Sequence, residues 1–378
     1  MFSVNRFVKI PVPELVSGGP DFFRRFHAMI WSAKESVHLQ MYAIEPDGTG
    51  QKVIEELMLA ARRGVKVYVL LDAFGSKDLP AAWIKTLKDS GVNFRFFSPL
   101  SGRKTLRLGR RLHHKILVAD GNRALIGGIN IGDKYHGGEF PPWLDYALEV
   151  SGNGAQWLED LCVQIWGRRF FKGRIRPVPT QTGLVLGRAT TNDWFRRKTE
   201  ISRALRKGIL EAEKEVLIIT PYFLPGRKIR KAIRLAAKKK VAITLVLPGL
   251  SDVVLAKRAA RFLYPWLMRK GVKILEWNKS VLHAKLIVAD RKWISLGSYN
   301  INHLSDYSSI ETNFEILDEK FADASLDRLS EEILNHCHPI EQSDYDRESS
   351  WWRTLVDRMS FVLVRFLMRL LFSVTTRS

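Results

Sequence analysis

Six matched positions, His, Lys, Asp, Gly, a small residue and Asn, recur in a fixed order at two places in the 378-residue chain: His113-x-Lys115-x4-Asp120-x6-Gly127-Gly128-x-Asn130 and His283-x-Lys285-x4-Asp290-x6-Gly297-Ser298-x-Asn300. Partners lie 170 positions apart (283 − 113, 285 − 115, 300 − 130), so the reactive vocabulary is duplicated. Transfer of a phosphodiester needs a nucleophile, an acid for the leaving alkoxide, and positive charge around the phosphoryl oxygens. Two His, two Lys and two Asn supply all three. One imidazole would attack phosphorus while the other, protonated, hands its proton to the leaving alcohol; the second then deprotonates the incoming alcohol or water. No cluster of carboxylates at metal-ligand spacing stands near either motif, so neither a metal nor another cofactor is expected.

The elements that must position these groups read as hairpins. KILVA (115–119) and KLIVA (285–289) are apolar, β-branched runs, each followed by a turn signal at Asp120-Gly121-Asn122 or Asp290-Arg291-Lys292 and by a second apolar run. Residues at i and i+2 share one face of a strand, so His113 points with Lys115 and His283 with Lys285. Lys115, Lys285, Asn130 and Asn300 are the candidate phosphate binders. Asp120 and Asp290 complete the catalytic motif, but each opens a tight turn, where Asp commonly bonds its own backbone, and they read as structural organisers. A nucleophilic His also needs its other ring nitrogen held by an acceptor. Asp145 lies 32 residues after His113 and Glu315 lies 32 after His283 (145 − 113, 315 − 283), and both are expected to orient the histidine of their own half.

The duplication extends outward. AARRGV at 60–65 runs into VYVLLD as AAKKKV at 236–241 runs into ITLVLP, and KESVHLQMY ending at Tyr42 parallels KEVLIITPY ending at Tyr222. A period of about 170 residues is domain-sized, not that of a solenoid. Helical spacing at 21–35 and 50–63 alternates with strand-like VHLQMY and KVYVLLD, and the order returns with helices near 200–214 and 226–240. An α/β fold follows: two lobes, each a mixed sheet flanked by helices, related by pseudo-twofold symmetry, over 1–178 and 179–345, with a single site between them.

The doubled motif resembles the signature of the phospholipase D superfamily. LLDAFGS at 70–76, PYFLPGRK at 221–228, WLDYALEVSG at 143–152 and the run 251–277 further resemble bacterial cardiolipin synthases, in the short form without amino-terminal membrane spans. The resemblance implies phospholipase D-like lobes, phosphatidyl transfer onto phosphatidylglycerol through a phosphohistidine, His113 as nucleophile and His283 as general acid and base. A phospholipase D or a nuclease would use the same residues, and a catalytically silent membrane scaffold is the reading from another class.

Lys and Arg number 60 against 39 Asp and Glu, a net charge of +21, with basic runs at 103–111, 168–176 and 196–207. Such a surface attracts nucleic acid or anionic lipid. Residues 346–378 favour lipid: Trp351 to Val374 is apolar around most of a helix, with Arg358, Arg365 and Arg369 on one stripe. Each Arg at the centre of a spanning helix costs roughly 2.5–3.5 kcal/mol, so an amphipathic helix lying in the membrane plane is expected. Anionic phospholipids are the expected partners, and nucleic acid is not. Cys162 and Cys337 lack metal spacing and point to reduced thiols, and the amino end lacks a signal-peptide core. A peripheral enzyme on the cytoplasmic face of the cell membrane is the expected setting; the oligomeric state is left open.

Overall fold

The structure is a computed structural model that describes residues 7–99, 110–167, 183–302, 305, 306, 308–348 and 350–376. The proposed lobe boundary at 178 and the basic run 168–176 lie outside the described residues, as does most of the run 103–111.

Two mixed sheets carry the fold. In the first, of seven strands, Ser36–Met41 runs parallel to Lys66–Asp72 and that strand parallel to Asn93–Phe97. On its other edge Ser36–Met41 is antiparallel to the motif hairpin Lys115–Ala119/Arg123–Gly127, and Tyr146–Ser151 closes beside the hairpin. The second sheet repeats the plan. Glu215–Ile219, Ala242–Leu250 and Lys273–Val281 are parallel, and the hairpin Leu286–Ala289/Trp293–Gly297 is followed by Ser309–Leu317.

Strand alternation sorts side chains between two cores. Ile116 and Val118 of the first hairpin join Leu286, Val288 and Phe314 of the second sheet in a core shared by both lobes. Their neighbours Leu117 and Ala119 face the helices of the first lobe, and Ile287 and Ala289 those of the second. The result is four layers: helices, sheet, sheet, helices. Flanking helices begin and end close to the expected positions, at Pro20–Ser32, Gly48–Arg62, Glu200–Glu211 and Arg227–Lys238. Asp47 starts the second of these by accepting a bond from the Gly50 amide at 2.9 Å.

The lobes also exchange backbone. Val8–Pro11 pairs with Leu184–Asp193 in the second sheet, and Arg111–Leu112, just before His113, lies parallel to Ser309 and Ile310. The carboxyl-terminal helix Trp351–Thr376 packs on Val254–Arg261. Val364 of the former sits in a small cluster with Leu224 and Ala259, and the Phe361 ring lies tilted 5.0 Å from that of Phe262. Among the described residues no helix is long and apolar enough to cross a membrane.

Candidate active site

The backbone exchange brings the two motifs together, and it does so in the same way twice. The His113 amide donates to the carbonyl of Ile310 at 2.9 Å, and the His283 amide donates to the carbonyl of Leu144 at 2.8 Å. Each histidine is therefore seated on the other lobe, beside the residue that follows the accepting carbonyl. Those residues are Glu311 and Asp145.

The ring contacts follow from that seating. His113 Nδ1 lies 2.8 Å from Glu311 Oε2 and 3.1 Å from the Ser298 carbonyl. His283 Nδ1 lies 2.6 Å from Asp145 Oδ2. Ionised carboxylates and carbonyls only accept, and at His283 the Asp145 oxygen at 2.6 Å is nearer than the Lys285 Nζ at 2.9 Å, so the proton is assigned to Nδ1 in each ring and Nε2 is left for chemistry.

Two expectations are corrected here. Asp145 does hold a histidine, but that of the opposite half. Glu315 holds none: it is bound by the Arg188 guanidinium at 2.7 Å and the Trp293 indole at 3.0 Å inside the second lobe. Equal offsets misled because the connection after the Gly-x-x-Asn segment is shorter in the second half. Gly127 pairs with Ala147, but Gly297 pairs with Asn313, twenty residues against sixteen (147 − 127, 313 − 297). The structural counterpart of Asp145 is thus Glu311.

The longer Glu also explains why one motif has Gly128 and the other Ser298. A Cβ at Gly128 would fall on the Asp145 carboxylate. At Ser298 the hydroxyl instead donates to Glu311 Oε2 at 2.5 Å and accepts from the Thr312 amide at 3.1 Å.

Lys115 and Lys285 are buried beside the histidines. Lys285 Nζ is 2.9 Å from His283 Nδ1 and 3.7 Å from Asp145, while Lys115 Nζ donates to the His113 carbonyl at 3.0 Å. Burial and the nearby Lys285 push Lys115 down to about 7. Burial lowers Lys285 as well. Burial, then repulsion from Lys285 and Lys115, holds His283 well below the ordinary imidazole range. Burial lowers His113 against the opposing pull of Glu311, and it pushes Asp145 up to about 6 against the attraction of Lys285. Buried amines held below their ordinary range beside two imidazoles are the signs of a site that receives an anion.

Asn130 and Asn300 are buried, each with a side-chain oxygen that has no hydrogen-bond partner, and the Asn130 amide donates to Tyr135 Oη at 2.9 Å. Asp120 and Asp290 are not at the site. They lie at the far end of the motif strands, in left-handed backbone with φ of 51° and 53°. Asp120 accepts from the amides of Lys34, Glu35 and Ser36, and Asp290 from those of Glu213, Lys214 and Glu215. They pin each hairpin turn to the start of the neighbouring strand, so their place in a catalytic set is corrected to a structural one.

Several neighbours of the histidines had escaped the sequence reading. Tyr42 meets His113 edge-on at 5.0 Å, and Tyr135 and Trp143 lie 5.4 and 5.9 Å from His283. Asp72 accepts the Leu112 amide at 2.8 Å and so fixes the strand leading into His113. Buried His114 ties the lobes together through Gln40 at 3.0 Å and Thr312 at 2.6 Å, and burial drives its pKa to about 3. Asp72 falls in the LLDAFGS stretch, whose resemblance gave it no role of its own; Glu311 could have been found only by aligning the strands in place of the numbers. Among the described residues no cluster of His, Cys, Asp or Glu is arranged to hold a metal.

Comparison with known proteins shows the family. The family model described as "Cardiolipin synthase, PLD-like domain" matches residues 26–139 and 205–332, one segment in each lobe. The chain is 31% identical over 363 residues to cardiolipin synthase B of Salmonella typhi, covering 93% of this chain and 87% of that protein. It is 30% identical to a cardiolipin synthase of Geobacillus kaustophilus, covering 88% of this chain and 67% of the relative. Among solved structures, phosphatidylserine synthase of Haemophilus influenzae superposes with a TM-score of 0.74 over 97% of this chain and 96% of that one at 14% identity, a likeness of fold. The chain therefore belongs to the cardiolipin synthase family of phospholipase D-type phosphatidyltransferases.

Proposed function

We propose that this protein makes cardiolipin by moving a phosphatidyl group onto phosphatidylglycerol, working as a peripheral enzyme on the cytoplasmic face of the membrane. The observation that carries the reading is the reciprocal seating of two histidines on carboxylates of the opposite lobe, with two buried lysines between them.

In the first half-reaction His113 Nε2 attacks phosphorus, forming the P–N bond as the P–O bond to the leaving glycerol breaks. His283 Nε2 delivers the proton to that oxygen. Burial alone would keep His283 neutral, but the phosphodiester charge, arriving beside Lys115 and Lys285, offsets the repulsion that depresses it. Glu311 stabilises the positive charge that spreads over the His113 ring as phosphorus bonds. In the second half, neutral His283 takes the proton from the hydroxyl of phosphatidylglycerol, whose oxygen displaces His113. Lys115 and Lys285 meet the nonbridging oxygens, where charge grows in the transition state. Asn130 and Asn300 remain candidate phosphate contacts.

The membrane surface is supported by the terminal helix. Trp351, Trp352, Leu355, Met359, Val362 and Phe366 are exposed on the face turned away from the protein. At about 100° per residue they and their apolar neighbours fall within an arc of about 160°, the form of a helix lying in the headgroup boundary.

The test is incubation with phosphatidylglycerol vesicles, without added metal, followed by mass spectrometry of the lipids. Cardiolipin and free glycerol, both absent with His113→Ala, are expected. Phosphatidic acid alone would make the protein a hydrolase, and no turnover of any lipid would overturn the reading.

A further inference from the structure

A cavity of about 960 Å³ lies apart from the histidines, between the helices Glu200–Glu211 and Arg227–Lys238 and one side of the terminal helix. Its interior is apolar, formed by Leu210, Leu224, Ile229, Leu235 and Phe361. Its rim is basic: Arg203 and Arg206 from one helix, Arg227, Lys228 and Lys231 from the next, and Arg365 from the terminal helix. Among the described residues Arg206, Arg227, Lys228 and Lys231 have no carboxylate partner. Asp306, the one acidic residue among the described lining, already accepts from the hydroxyls of Ser202 and Tyr299 at 2.5 and 2.6 Å. The amino end of the Arg227–Lys238 helix opens on the same rim at Gly226 and has no side-chain cap.

We infer that this groove is a second lipid site, separate from the catalytic centre, which holds one anionic phospholipid with its acyl part on the apolar floor and its phosphate among the rim arginines and lysines. A phospholipid matches both parts of this lining, its anionic head the clustered cations of the rim and its acyl chains the apolar hollow. The position suits delivery from a bilayer. Arg365 lies on the edge of the terminal helix between its packed face and its exposed apolar face, so the rim begins where the proposed membrane-facing surface ends. The lining also includes Ser308, whose carbonyl accepts the Arg111 amide in the strand that leads to His113. An occupied groove would therefore stiffen the segment on which His113 is seated.

The test uses full-length His113→Ala protein and a water-soluble short-chain phosphatidylglycerol with a photoreactive diazirine on its acyl chain, with adducts mapped by peptide mass spectrometry. Adducts are expected at Leu210, Leu235 or Phe361. Arg206→Glu with Arg227→Glu should weaken labelling about tenfold or more, the loss expected for a charge-assisted contact. Leu235→Trp, which fills the floor without changing charge, should block it too. Labelling confined to the surroundings of Tyr42, Tyr135 and Trp143 would overturn the inference. So would equal labelling by the phosphatidylcholine analogue, or displacement by a single-stranded oligonucleotide before phosphatidylglycerol. Because His113→Ala cannot turn lipid over by the proposed mechanism, this result is read independently of the transfer assay on the wild-type protein.

Discussion

Exchange of the carboxylates between lobes predicts opposite outcomes for two glutamates four residues apart. Glu311→Gln keeps the shape of the side chain and a hydrogen bond to His113 Nδ1, now 2.8 Å from Glu311 Oε2, but removes the charge. When Nε2 bonds phosphorus the ring becomes cationic, with its charge about 4 Å from the carboxylate; at an effective dielectric of about 20 that pair is worth about 4 kcal/mol. Since 1.36 kcal/mol is a factor of ten, kcat should fall about a thousandfold. Glu315→Gln leaves the Arg188 guanidinium without its charged partner inside the second lobe. It should cost about 3 kcal/mol of stability while kcat per folded molecule stays within about threefold of wild type. The assay is single-turnover release of glycerol from phosphatidylglycerol, with the folded fraction set by circular dichroism and denaturant titration. Retention of more than about a tenth of kcat in Glu311→Gln, or a folded Glu315→Gln that loses about a hundredfold, would refute the cross-lobe assignment.

Asp120→Ala and Asp290→Ala should each lower the denaturation midpoint by the equivalent of about 1–3 kcal/mol, with activity per folded molecule retained, since each strands backbone amides and touches no reacting group. Gly128→Ala, whose methyl would displace the Asp145 carboxylate, should reduce kcat about a hundredfold or more with little change in KM, measured by the same glycerol release. For pH, Lys115 sits near 7, so kcat/KM, which reads the free enzyme, should fall as pH rises through about 7 while it loses its charge. The fall in kcat should come at higher pH, because a bound phosphodiester favours the charged amine. The same depression acts on stability: between about 7 and 10.5 the unfolded chain binds a proton that folded Lys115 does not, so this residue makes stability rise with pH across that window. Denaturant midpoints of wild type and Lys115→Met across that range test the sign. Met359→Asp with Phe366→Asp alters only exposed positions and should abolish vesicle binding, read by co-sedimentation, because each buried large apolar side chain contributes about 1.5–3 kcal/mol.

Much of the fold was legible because it is written in short-range pattern. The continuous apolar runs in KILVA and KLIVA require strands with two apolar faces, and each falls where the pattern places it. The turn Asp was also readable as a backbone organiser, since that role depends only on its neighbours in the chain. The basic run 196–207 was legible as charge but not as a groove wall, because which side of the Glu200–Glu211 helix is buried depends on the helix packed against it.

By itself the sequence determined the duplicated reactive set, the αβ plan of each half and the family, because these are carried by residue type and by spacings within one strand or hairpin. Only the tertiary structure decided which carboxylate serves which histidine. That choice rests on two sheets sharing one core and on Ile310 and Leu144 offering their carbonyls across the lobe boundary. Neither fact leaves a mark at any fixed distance along the chain, so a count of 32 residues pointed to Glu315 where packing placed Glu311.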